Sequence, residues 1–426
     1  MPSRKAVRLT TALGFVLCCL ASYAVAQDAT GTGYPAGTGD AAKTSAPALD
    51  TSKSSVPPAI QVLRMHMLDA DVNTLTFHNM DEIFNTRKVG RSGAVWQLPG
   101  KSADLNVTYN FGGKTYTAQD FLERTYTNGL IVMKDGKIVS EIYRNNTNQA
   151  THFMSWSMSK SLTSLMVGKA LEEGRIKSLD DKIITYLPEL KTGGYKDATI
   201  RDILEMKSGV DYEERYDFDH PGIAAKNHIS SLVQNLTRFA DVATTIPSKA
   251  KPGTVFEYKT IDTAVLGWLV ERVAGMNVSA YMSSRIWEPL GAESDAFYIL
   301  DGEPGVGREF TGAGYNAVLR DYARIGQMML NGGVANGHRI LPEDWVKQST
   351  APAGPEGPMG GYGFQWWTVG DSDAYYALGL QGQFIFVDPS TKTVIVKASY
   401  FPPQDDEVYG EAISFMMSVS AWKPAE

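Results

Sequence analysis

The chain has 426 residues, a formal net charge of −7 and only two cysteines, Cys18 and Cys19. That length suits one large domain or two intertwined ones. No block of five or more lysines and arginines interrupts the acidic balance, which argues against nucleic acid or an anionic membrane as partner.

Arg4, Lys5 and Arg8 precede the short apolar run "LGFVLCCLASYAV", and "AVA" at 24–26 supplies small residues before Gln27. This pattern predicts a secretory signal peptide over residues 1–26, its apolar run too short to span a membrane. The expected destination is the periplasm or the medium, with no membrane contact after cleavage. Both cysteines leave with the signal, so the mature chain has no disulfide, no thiol catalysis and no cysteine-ligated zinc. Residues 27–58 are Ala, Gly, Thr, Ser and Pro with almost nothing to bury, which reads as a flexible linker. From Ala59 to Glu426 the composition is globular, without an internal repeat.

Along that domain, "GLIVMKDGKIVSEIYR" (129–144) places two β-rich runs around Asp135-Gly136, a strong hairpin signal. "SKSLTSLMVGKALEEG" follows as a helix, with Leu162, Leu165, Met166 and Ala170 on one face and Gly174 closing it. A mostly helical region is expected over about 190–300, including "IDTAVLGWLVERVAG". The helix "VLRDYARIGQMMLNGG" comes next. "QFIFVDPSTKTVIVKASY" (383–400) repeats the hairpin design with a longer turn, and "VYGEAISFMMSVSAWK" forms a last helix. Hairpins near both ends with helices between predict an α+β fold: an antiparallel sheet built from both chain ends, flanked by helices, with the helical region inserted.

The chemistry turns on "WSMSKSLTS" (156–164). A serine hydroxyl needs a base and an oxyanion site to act as nucleophile. Only six histidines are present and no G-x-S-x-G elbow, so a Ser-His-Asp α/β-hydrolase is not expected. Lysine offers another solution. If Ser157 starts the helix, Lys160 lies one turn on over the same face, and the helix start offers backbone N–H groups to an oxyanion. The same spacing recurs at Ser248 and Lys251 in a Pro-flanked loop, and "KTG" at 191–193 falls in a loop rather than on a late strand. On spacing alone, a serine-rich helix cap explains "WSMSKSLTS" as well as a nucleophile does. No His-x-His or H-E-x-x-H spacing occurs, and "DADVN" at 69–73 lacks the glycine and glutamate of a calcium loop, so no metal is expected.

The wider segment "HFMSWSMSKSLTSLMVGKALEEGRIKSLDDKIITYLPEL" resembles the nucleophile region of the serine β-lactamase/penicillin-recognising superfamily. It looks closest to class C-like hydrolases and esterases, in particular the 6-aminohexanoate-dimer (nylon-oligomer) hydrolases. The likeness continues through "TIRDILEMKSGVDYEERY", "PGTVFEYKTIDTAVLGWLVERVAG", "LRDYARIGQMMLNGGVANGHRILPEDWV" and "GLQGQFIFVDPSTKTVIVK", in family order. It implies a β-lactamase/transpeptidase-like fold and a cofactor-free acyl transfer.

Carried onto this chain, the resemblance makes Ser157 the nucleophile and Lys160 its activating lysine. "YKT" (258–260) matches the second motif, with Tyr258 as general base and proton donor to the leaving group; beside an ammonium its phenol is expected to be depressed. Thr260 stands where many members have asparagine and is expected to contact substrate. In the third motif "LQGQ" (380–383) replaces Lys-Thr-Gly or His-x-Gly, placing the neutral Gln381 at the cationic position and Gln383 as the second oxyanion N–H beside that of Ser157. Tyr216 matches the loop tyrosine over the site of nylon-oligomer hydrolases, with Tyr212 its competitor. Trp366 or Trp367 is a candidate for the pocket wall.

The expected function is hydrolysis of a small ester or short linear amide through an acyl-enzyme on Ser157. A neutral Gln381 cannot neutralise the carboxylate that penicillins and D-alanyl peptides present, yet export and fold keep a D-Ala carboxypeptidase or β-lactamase acting on a peptide as the alternative. A non-catalytic binding protein on a decayed hydrolase scaffold is the third, motivated by the two altered motif positions.

Overall fold

The computed structural model describes residues 53–354, 360–402 and 407–424. The signal-peptide reading and most of the linker reading lie outside the described residues. The last part of the linker does not behave as a tether: Ser54 donates to the carbonyl of Gln234, Val56 is buried, and Pro58–His66 is already a helix.

The 129–144 segment forms strands β1 (Thr127–Lys134) and β2 (Lys137–Tyr143). Asp135 and Gly136 both take positive φ, 48° and 74°, as a tight hairpin turn requires. Helix α1 (Met158–Glu172) follows, then α2 (Thr260–Ala274), closed by Gly275 in the left-handed conformation, and α3 (Leu319–Leu330). The chain ends with β3 (Trp367–Thr368), β4 (Tyr375–Gly379), β5 (Gln383–Asp388), β6 (Thr393–Ser399) and helix α4 (Glu407–Ala421).

These strands make one six-stranded antiparallel sheet in the order β3-β4-β5-β6-β1-β2, joining the early hairpin to the late one through β6 and β1. Period-two alternation then divides the core. Leu130, Val132, Phe384, Phe386 and Ile395 face α4 through Phe415, Met416 and Val419. Ile131, Met133, Ile385, Val387, Val394 and Val396 belong to the larger core shared with α1, α2 and α3. Covered on both faces, all eight residues of β1 are buried, which explains an apolar run without alternation.

Within the region expected to be helical, short helices and 3-10 turns precede α2, but Ala296–Ile299 is a strand. It pairs with Thr86–Val89 and with Tyr315–Val318, in a second, four-stranded sheet completed by His152–Met154. No helix among the described residues is long and apolar enough to cross a membrane.

Helix α1 departs from the amphipathic expectation. Leu162, Leu165, Met166 and Ala170 are fully buried, but so are Ser159, Lys160, Ser161, Thr163 and Ser164. The helix runs through the middle of the molecule, and its hydroxyls bond inward: Ser159 to the carbonyl of Thr311 at 2.8 Å and Ser161 to that of Gln365 at 2.6 Å. Gly168 lets the indole of Trp345 lie against the helix, and a Cβ there would enter the ring. Gly168→Ala is therefore expected to destabilise the fold by about 1–3 kcal/mol through overpacking, read as a lower urea midpoint with an unchanged m-value.

Candidate active site

The four-stranded sheet and α1 meet at a sharp corner. Met154 ends its strand, the Ser155 N–H bonds the carbonyl of Tyr315, and Trp156 turns the chain with a φ of 44°. A bulky side chain rarely adopts that conformation; here the indole is buried and packs edge-on against Phe77, ring centroids 5.2 Å apart. Ser157 follows as the cap of α1, partly accessible, while the N–H groups of Met158, Ser159 and Lys160 bond the carbonyls of Ser155, Trp156 and Ser157.

One turn on, Lys160 is 1 % exposed and its Nζ meets three oxygens: Ser157 Oγ at 3.0 Å, Thr260 Oγ1 at 3.0 Å and the carbonyl of Gly312 at 2.8 Å. Burial lowers its pKa from 10.5 to about 8, with the Glu214 carboxylate opposing. Gly312 must be small because Thr260 Cγ2 occupies the space its Cβ would take.

Tyr258 brings its hydroxyl close to Ser157, and its ring centroid lies 4.9 Å from Lys160 Nζ. Trp367 stacks on that ring, centroids 5.8 Å apart and planes at 26°, whereas Trp366 is wholly buried. The expected depression of this phenol is not found. Burial pushes Tyr258 above the ordinary range for a phenol, with the nearby Ser157 opposing, because a phenolate would lose its water here. The group whose proton burial loosens is the lysine.

Thr260 opens α2. Its N–H bonds Glu214 Oε2 at 2.9 Å, and its hydroxyl bonds Glu214 Oε1 at 2.5 Å while receiving Lys160. At 4 % exposed, its hydroxyl faces this network rather than a substrate, a correction to the sequence expectation. Tyr216 is 39 % exposed on the loop above and donates to Glu214 Oε1 at 2.8 Å. Its competitor Tyr212 is fully buried, close to Asn227.

Gln381 also departs from expectation. It is fully buried with φ 55°; its amide donates to the carbonyl of Leu68 at 2.8 Å and accepts from Asn73 at 3.1 Å. Both ends of the side chain are consumed in holding the segment before the first hairpin, and Leu380 is the exposed residue of this turn. Gln383 begins β5, its side chain tied to Ser399 and to the turn's own carbonyls. Gly379, its partner across the hairpin, packs directly on the carbonyl of Ser155, which brings this end of the six-stranded sheet beside the corner bearing Ser157.

Sequence reasoning missed Glu214 and Gly312. Glu214 lies among the charges of "DYEERYDFD", where nothing in spacing separates it from its neighbours, and only the fold brings Gly312 to Lys160. The second Ser-x-x-Lys remains a surface loop: Ser248 bonds the nearby carbonyl of Ala250, and Lys249 pairs with Glu257.

A buried amine next to a serine at a helix start, with a phenol from a separate loop, defines a serine hydrolase on an α+β scaffold. The chain belongs to the beta-lactamase family, whose model matches residues 117–413. It is 33 % identical over 301 residues to the 6-aminohexanoate-dimer hydrolase of Paenarthrobacter ureafaciens, covering 67 % of this chain and 75 % of that one. The solved structure named "Putative 6-aminohexanoate-dimer hydrolase from Bacillus anthracis" superposes with a TM-score of 0.76 at 26 % identity, covering 86 % of this chain and 98 % of the other. A hydrolase with promiscuous acyltransferase activity shares the fold, with a TM-score of 0.57 at 17 % identity over 71 % of this chain and 96 % of that one.

The lowered lysine carries a signed consequence for stability. Between pH 8 and 10.5 the unfolded chain holds a proton at residue 160 that the folded chain has released, so folding gains stability as pH rises. Lys160→Met abolishes that contribution. Urea titrations at pH 7, 8, 9 and 10 are expected to show wild type gaining on the variant across this window; parallel curves would contradict it.

Proposed function

We propose that this protein is an exported serine hydrolase that cleaves an ester or a short linear amide through an acyl-enzyme on Ser157. The observation that carries the reading is the 3.0 Å approach of Lys160 Nζ to Ser157 Oγ with the lysine pKa near 8. A neutral amine at that distance takes the hydroxyl proton as Ser157 attacks the carbonyl carbon. The oxyanion is assigned to the N–H groups of Ser157 and Gln383. Tyr258, kept protonated by burial, gives its proton to the leaving group and regains one from Lys160. Water then attacks the acyl-enzyme by the same route and releases the acid, without a cofactor.

The third motif supports a substrate that has no carboxylate beside the scissile bond. Leu380 is the exposed side chain there, and two lysines near the motifs are withdrawn: Lys259 pairs with Glu257, and Lys397 bonds the carbonyls of Thr125 and Gly382. These residues offer no cation to a substrate carboxylate, which disfavours penicillins and D-alanyl peptides. The likeness to a 6-aminohexanoate-dimer hydrolase supports a linear amide.

A fluorophosphonate probe is expected to label Ser157, and Ser157→Ala to lose essentially all turnover of p-nitrophenyl acetate and of 6-aminohexanoate dimer. Failure to label, or turnover surviving in Ser157→Ala, would remove this reading; stable acylation by a fluorescent penicillin would replace its substrate class. Because the amine must be neutral, kcat/KM is expected to climb roughly tenfold per pH unit below a midpoint near 8 and then level off.

Tyr258→Phe separates the two leaving groups. A nitrophenolate departs without a proton, whereas an amine does not. Amide turnover is therefore expected to fall about 10²–10⁴-fold, the span of general acid catalysis, with nitrophenyl ester turnover much less affected. Equal losses on both would contradict the assigned role.

A further inference from the structure

Glu214 touches neither Ser157 nor Lys160, yet it decides where the hydrogens between them lie. Its Oε2 accepts the N–H of Thr260, and its Oε1 accepts the hydroxyls of Thr260 and of Tyr216. A carboxylate is acceptor-only, so the Thr260 hydroxyl hydrogen points at Glu214 and its oxygen is left to accept from Lys160. The Gly312 carbonyl can likewise only accept. A neutral Lys160 has two hydrogens and one lone pair, and Thr260 and Gly312 claim both hydrogens. The lone pair is left for the third neighbour, Ser157 Oγ.

We propose that Glu214 is a positioning residue that sets the direction of the hydrogen bonds around Lys160, so that the neutral amine turns its lone pair to Ser157. The inference rests on the lysine-base reading above. In the step it serves, the Ser157 O–H proton moves to that lone pair as the O–H electrons form the bond to the carbonyl carbon. The carbonyl π pair moves onto oxygen, and Glu214 neither gains nor loses a proton.

Glu214→Gln discriminates sharply, because the backbone chooses the amide's orientation. The Thr260 N–H still needs an acceptor, so the amide oxygen takes the Oε2 place and the NH₂ takes that of Oε1. The NH₂ then donates to Thr260 Oγ1, and the threonine hydroxyl swings its hydrogen onto Lys160, occupying the lone pair. In Thr260→Val there is no hydroxyl to reverse.

The test is a double-mutant cycle of Glu214→Gln and Thr260→Val, read as kcat and KM on 6-aminohexanoate dimer and as the rate of fluorophosphonate labelling. In the wild-type background Glu214→Gln is expected to lower kcat and the labelling rate about 10–100-fold with KM within about twofold, the signature of a lost reaction-step contribution. On Thr260→Val it is expected to change kcat by less than about twofold. Equal losses in both backgrounds, or unchanged kcat in the single variant, overturn the proposal. Should Glu214→Gln not fold by circular dichroism, Glu214→Asp and Glu214→Asn repeat the comparison: the carboxylate must outperform the amide, and equality overturns it. Loss of activity in Ser157→Ala with Glu214→Gln unimpaired would sink this inference alone, whereas activity surviving in Ser157→Ala would sink the hydrolase reading itself.

Discussion

An amine buried among three oxygens is the constraint on which this structure turns. Removing a lysine from water is costly unless it is well bonded or loses its charge, and Lys160 does some of each. Its Nζ has the acceptors an ammonium needs in Ser157, Thr260 and Gly312, yet burial still draws its pKa down to about 8. That compromise keeps both protonation states within reach near neutral pH, the condition for a proton acceptor that must later give the proton back.

The rest of the fold holds that amine in place. Helix α1 threads the interior, which keeps Lys160 dry, and the hydroxyls along it find carbonyls in neighbouring loops. The corner before it is strained at Trp156, and the end of the six-stranded sheet closes against the same corner through Gly379. Tyr258 arrives from the loop before α2 and is clamped by Trp367, the first residue of the edge strand β3. Three parts of the chain, about a hundred residues apart from one to the next, thus meet around one hydroxyl.

The proposed substrate preference rests on what these elements do with their charges. The turn in which relatives place a cation here turns a neutral amide inward to Leu68 and Asn73 and leaves a leucine outside. The acidic loop contributes Glu214, which is bound to Thr260 and Tyr216. Neither element presents a cation where a carboxylate beside the scissile bond would lie.

The sequence by itself determined the hairpins, the helices and the candidate serine, lysine and tyrosine, because turn chemistry and hydrophobic period are local, and the order of the family's motifs survives along the chain. The 129–144 hairpin was legible from Asp135-Gly136 alone. Only the tertiary structure decided which way side chains face and which charges survive. Period-two reasoning could not show that Gln381, in a turn with positive φ, points inward. The nearness of an ammonium suggested a depressed phenol at 258, but burial, a property of the whole molecule, reverses that sign. Glu214 was invisible among its acidic neighbours, since its part depends on meeting Thr260 forty-six residues later. Local pattern dictates where elements begin and end; desolvation and hydrogen-bond direction are set by everything that packs around them.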